Sequence, residues 1–245
     1  AGTLLSSLSG SSCGASCLYD DGAVTGVANL NYYYVVTAVN SDGDESDSSN
    51  KVGVFNYSLS SKTPRRSDIA LPFLELPFAN AAALETHIEG HTRPAVFVRS
   101  ITRWLTATQS WEAYNPWLPP ASQNNFVMGD TRSFRVQLAN NSPTINAVWT
   151  LTGTVPATGE IVFDLADDGT GSVFNHIHLP LFKPSTTAFS FEQEIETACG
   201  SCSVTRIRRW SPTLQTDVNV TSLEPIVAGQ SYLVYVNTPT LVAWP

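Results

Sequence analysis

Four cysteines in two close pairs are the residues best spaced for chemistry: Cys13 with Cys17, and Cys199 with Cys202. The second pair, CGSC, has the spacing of dithiol oxidoreductases, which hold the motif at a helix N-terminus where the dipole stabilises a thiolate. Here the motif follows a helix-like stretch, SFEQEIETACG, and so sits at the wrong end for activation. Both pairs are therefore expected to be short-loop disulfides of an oxidising compartment. A zinc site from all four sulfurs has acceptable spacings, but it requires the first segment to fold against the last, and no metal is expected.

The remaining polar groups give weaker signals. His176 and His178 alternate along a strand-like run and share a face. No third ligand accompanies them, so they are expected to face solvent. His87 and His91 have helical spacing, but Gly90 is expected to stop the helix between them. The acidic run Asp42 to Asp47 lacks the twelve-residue calcium loop and reads as a solvated turn. Glu192/Glu194 and Asp167/Asp168 lie in a helix start and a turn, and nothing singles out a general acid and base. No nucleophile elbow, phosphate-binding glycine loop or dinucleotide fingerprint occurs. The expectation is no catalytic residue, no cofactor and no enzyme.

Three aromatics, Trp111, Tyr114 and Trp117, cluster in the loop-prone stretch WEAYNPW and are candidate ligand contacts, since exposed rings make carbohydrate platforms. Sequons at Asn56, Asn140 and Asn219 are candidate glycosylation sites.

These residues are positioned by a duplicated framework. VRSITRW (Val98 to Trp104) returns as VTRIRRW (Val204 to Trp210), each followed by a Gln five residues after the Trp, Gln109 and Gln215. The interval between matched residues is constant within strands and shortens only at loops: compare Ile69/Ile177, Ile88/Ile195, Trp104/Trp210 and Gly129/Gly229. Trp104 and Trp210 are expected in the core or against Arg103 and Arg209. Each copy contains one short helix. Asn80 and Ser190 are the expected N-caps, and Gly90 and Gly200 the expected stops. The strands are short and punctuated by Pro, Gly, Asn and Ser, as in sandwiches or compact barrels.

Ahead of the repeats, LNYYYVVTAVN alternates aromatic and β-branched residues, SDGDES supplies a turn, and NKVGVF leads back as a paired strand. YYYVVTAVNSDGDESDSSNKVGV resembles the closing strands of a fibronectin type III domain. The resemblance covers the C-terminal half of such a domain and implies a sandwich completed from elsewhere, with a sheet edge open to pairing. With the repeats, the chain resembles the C-terminal regions of large bacterial secreted and cell-surface proteins.

Composition bounds the rest. The chain has 245 residues, 42% of them hydrophobic but only 14% charged, and a net charge of −8. Ser, Thr and Asn fill the polar positions, which suits a secreted β protein. The negative balance argues against nucleic-acid and anionic-membrane partners. No apolar run is long enough to span a bilayer, and any signal peptide is expected to have been removed. The expected fold is mainly β: residues 1–55 a partial fibronectin type III-like segment, then two homologous β-rich modules, 56–157 and 158–245. The expected function is an extracellular structural subunit of a surface filament or layer, self-associating by strand complementation. The alternative is a carbohydrate-binding or adhesin module of a secreted enzyme, with surface glycans as partners.

Overall fold

The computed structural model describes residues 6–9, 21, 30–128, 132–166, 173–183, 186–237 and 242–245. Cys13 and Cys17 lie outside the described residues. The chain is mainly β, built from several antiparallel sheets.

The expected hairpin forms. β1 (Tyr32–Tyr34) pairs antiparallel with β2 (Val52–Leu59), with Tyr32 opposite Val54, around a turn in which Asn40 Oδ1 accepts the Asp42 and Asp44 amides. The expected boundary at residues 55 and 56 falls inside β2, because this one strand also opens the first module. β2 pairs along its length with β8 (Ala147–Thr154), and β4 (Thr92–Arg93) completes a sheet ordered β1-β2-β8-β4. A second sheet, ordered β3-β7-β5-β6, contains β3 (Arg66–Ala70), β5 (Val98–Leu105), β6 (Ser110–Tyr114) and β7 (Ser133–Leu138). Phe55, Leu59, Ile69, Phe134, Trp149 and Leu151 fill one core with Leu84 and Ile88 of helix α1 (Ala81–His91). Alternation along β3, β5 and β7 sends every second residue into this core.

The second module repeats the plan. Its main sheet, ordered β10-β15-β12-β13, contains β10 (Phe174–His178), β12 (Ser203–Ser211), β13 (Thr216–Asn219) and β15 (Ser231–Asn237). This is the order β3-β7-β5-β6 rewritten one copy later. β9 (Phe163–Leu165) pairs with β16 (Val242–Trp244), as β2 pairs with β8. Small features repeat too. A register break lies between Val98 and Ser100 on β5, and another between Val204 and Arg206 on β12. Glu89 Oε1 accepts the Val98 amide in one copy and Glu196 Oε1 the Val204 amide in the other.

The helices differ slightly from expectation. Asn80 caps α1 through the Ala83 amide, but α1 runs through Gly90 to His91, so His87 and His91 share a helix face and their rings stack at 4.0 Å. Nothing in α1 requires Gly90 to turn left-handed, so it extends the helix. In the second copy the cap of α2 (Ala188–Cys199) is Thr187 rather than Ser190. Thr187 is extended and pairs with Pro225 where β11 (Thr186–Thr187) meets β14 (Pro225–Ile226), and its Oγ1 accepts the Ser190 amide. Gly200 ends α2 in the left-handed region at φ 70°, as expected.

Cys199 and Cys202 form a disulfide just past α2, with Cys202 against the second core. Because the closed loop is only a few residues long, the chain-entropy gain is small. Cys199→Ser with Cys202→Ser is expected to cost about 2 kcal/mol, read as a shift of the chemical denaturation midpoint.

Candidate functional site

The two modules do not sit side by side as beads. Their main sheets face each other, with β3 against β12 and β15, and β10 against β7. The repeated Trp and Gln hold them together. Trp210 donates its indole N–H to the Arg66 carbonyl at 2.9 Å. Gln215 Oε1 accepts the Arg66 amide at 2.8 Å, and its Nε2 donates to the Arg66 carbonyl at 3.0 Å. Reciprocally, Trp104 donates to the Phe174 carbonyl at 2.8 Å, and Gln109 takes the Phe174 amide and donates to its carbonyl. Arg66 and Phe174 are equivalent, each opening the edge strand of its own sheet. Each module thus grips the first residue of the other's edge strand, and the two grips are related by an approximate twofold axis.

Both Gln residues are left-handed, at φ 47° and 55°. A non-glycine residue is strained there, but the conformation turns the side chain back across the seam, which glycine could not exploit. Gly229 is required by the same closeness: it has φ 81°, and a Cβ there would lie 2.7 Å from the Phe55 ring of the first module.

Between the clamps lies a charged cluster. Arg135 on β7 bonds both oxygens of Asp68, at 2.6 and 3.0 Å, reaches Asp217 at 3.0 Å, and lies 4.7 Å from the Trp111 ring centre and 4.2 Å from that of Trp210. His176 Nε2 sits 3.6 Å from Asp68 Oδ2. Burial alone would raise the Asp68 pKa, but the facing His176 and Arg135 more than offset it and hold the carboxyl below its ordinary value.

The His176/His178 expectation is corrected here: both side chains are buried. The second module covers its outer sheet face with the first, so a polar alternation that would mark a solvated face marks a seam instead. Burial, followed by the charge of Arg132 and neighbouring His176, pushes His178 down to about 3. Its folded pKa is below the ordinary 6.5, so below pH 6.5 the unfolded chain takes the proton first and stability falls with pH down to about 3. The expected slope is about 1.4 kcal/mol per pH unit. His178→Leu is expected to remove its share of the slope and leave that of His87, which burial and neighbouring His91 lower to about 4, in urea midpoints compared at pH 7, 5.5 and 4.5.

The three candidate aromatics part company. Trp111 belongs to the seam, edge-on to Trp104 and His176. Tyr114 is buried and donates to Glu85, so it forms no platform. Trp117 is 60% exposed and lines a cleft of about 500 Å³ with Arg99, Asn115, Ala139, Asn140 and Asn141. Trp104 and Trp210 are both buried, the first of the two expected placements, and neither stacks on its neighbouring arginine. Trp104 stacks on Phe174, while Arg103 lies over Phe126 and Arg209 pairs with Glu224.

Among the sequons, Asn140 and Asn219 are exposed. Asn56 is buried and its amide donates to the Leu30 carbonyl, so the folded chain cannot carry a glycan there. No group of three metal-ligating side chains, and no helix long and apolar enough to cross a membrane, occurs among the described residues.

No family model, no curated protein and no solved structure matches this chain.

The clamp was missed at the sequence level although its signal, Trp with a Gln five residues on, was plain in both copies. Sequence spacing reveals that a pair is repeated, and only topology reveals that each pair acts on the other copy.

Proposed function

We propose that this chain is a non-enzymatic structural subunit of an extracellular filament or layer, joined to further copies of itself by strand pairing at the β1 hairpin. The observation that carries the reading is the apolar edge of that hairpin. Tyr33, Val35, Val36 and Val39 are 46, 51, 70 and 65% exposed, and β1 is the outermost strand of its sheet. Among the described residues no strand pairs with its outer side. An exposed apolar edge of this kind, here the short β1 and the valines that follow it, is normally blunted by charge or proline, and one left open is a template for another chain.

The seam supports the same reading. The clamps are reciprocal and therefore already used within one chain, which makes the module pair a closed building block. The β1 edge, unpaired among the described strands, is left to do the joining. Contact is head-to-tail, since like-to-like pairing of β1 would stop at a dimer. The disulfide and the lightly charged, Ser/Thr/Asn-rich sequence support an extracellular setting. Electron microscopy of the purified chain tests the proposal: filaments or sheets support it, and particles of monomer or dimer size alone overturn it.

A further inference from the structure

We propose that the cleft around Trp117 is a saccharide-binding site selective for acidic sugars, the ligand class being an oligomer of uronic acid residues. The side chains around it divide into a rigid frame and a set of free groups. Trp117 donates its indole N–H to the Val98 carbonyl at 2.9 Å, which fixes a ring that is otherwise exposed. Behind the cleft, Arg65 holds the carbonyls of Ala139 and Ser142 at 3.2 and 2.7 Å. Ser142 Oγ exchanges hydrogen bonds with the Phe97 backbone. The loop carrying Asn140 and Asn141 is therefore set before any ligand arrives, which lowers the ordering cost of binding.

The free groups are of three kinds. Trp117 offers an aromatic surface on which the apolar face of a pyranose can stack. Asn140 and Asn141 are exposed and hold no side-chain partner among the described residues, while Asn115 spends only its carbonyl, on the Trp117 amide. Amides that both donate and accept suit vicinal hydroxyls. Arg99 is exposed and makes no ion pair among the described residues, unlike Arg103, Arg135 and Arg209. A guanidinium lining the same cleft as a stacking ring matches a sugar carboxylate, which it can meet with two parallel hydrogen bonds. In a chain of net charge −8, a cationic group at this cleft is selective rather than generally adhesive.

The site is separate from the hairpin edge, so it is tested in full-length Val36→Lys protein, where failure of self-assembly cannot be mistaken for failure to bind. Titration calorimetry compares tetragalacturonate with the neutral galactose tetramer. Binding of the acidic oligomer is expected, weakened at least about ten-fold by Trp117→Ala, a loss of about 1.4 kcal/mol. Arg99→Gln should bring it down to the level of the neutral oligomer. Arg99 has no side-chain partner among the described residues, so this second variant stays informative if Trp117→Ala unfolds. No binding of either oligomer, equal binding of both, or binding untouched by Arg99→Gln overturns the proposal.

Discussion

Asp68→Ala is expected to lower the unfolding free energy by about 3 kcal/mol, the low end of the cost of breaking a buried ion pair. Asp68 is 4% exposed and takes both hydrogen bonds of the Arg135 fork, with His176 on its other side. Removing it leaves a guanidinium that is only 12% exposed without its two-bond partner. Asp217 stays 3.0 Å away and the Trp111 and Trp210 rings stay in place, which keeps the loss from rising to 5 kcal/mol. Asp217→Ala, at a carboxylate 22% exposed, is expected to cost under about 1 kcal/mol. Guanidinium denaturation of both variants measures the difference. Near-equal costs would mean that Arg135 is held by its sandwich of indoles and not by Asp68.

Trp210→Ala is expected to cost about 3–5 kcal/mol, the range for emptying a large aromatic site. The indole is buried, covers Arg135 and donates to the Arg66 carbonyl, so the substitution opens a cavity and frees an edge strand together. Gln215 holds the same residue by both its amide and its carbonyl. The double variant with Gln215→Ala is expected to fall short of additivity by about 1 kcal/mol, because the second loss comes from a grip already loosened. Additive costs in that cycle would show that the Trp and Gln do not act as one clamp.

Much of the architecture could be read from residue patterns, for reasons particular to each element. Tyr32 to Tyr34 and Val52 to Val54 alternate on either side of an Asp-Gly turn, so their pairing was legible. The module duplication was legible because β5 and β12 keep the same residue types at the same register, down to the bulge after Val98 and Val204. Asn80 and Gly200 announced their helix ends through local chemistry alone.

The seam was not legible, because it is a relation between distant surfaces. His176 and His178 read as solvated polar residues on a half-exposed strand. They are buried only because an equivalent sheet lies over them. The Trp111, Tyr114 and Trp117 cluster illustrates the same limit. Neighbours in sequence, they point to a seam, a core and a cleft, since strand alternation and the turn at Asn115 separate them. The approximate symmetry is broken by chemistry at the centre of the seam. Arg135 in the first copy corresponds to Leu233 in the second, opposite Asp68 and His176 respectively, so the ion network has no twin.

Sedimentation velocity over a wide concentration range, on the full chain and on Val36→Lys, tests the assembly proposal most directly. Val36 is 70% exposed just past the end of β1, and a lysine there puts a charge at the hairpin edge without entering either core. The expected result is a series of larger species that grows with concentration in the parent chain and is absent in the variant. A parent chain that sediments as a monomer throughout, or a variant that assembles equally well, would contradict the account.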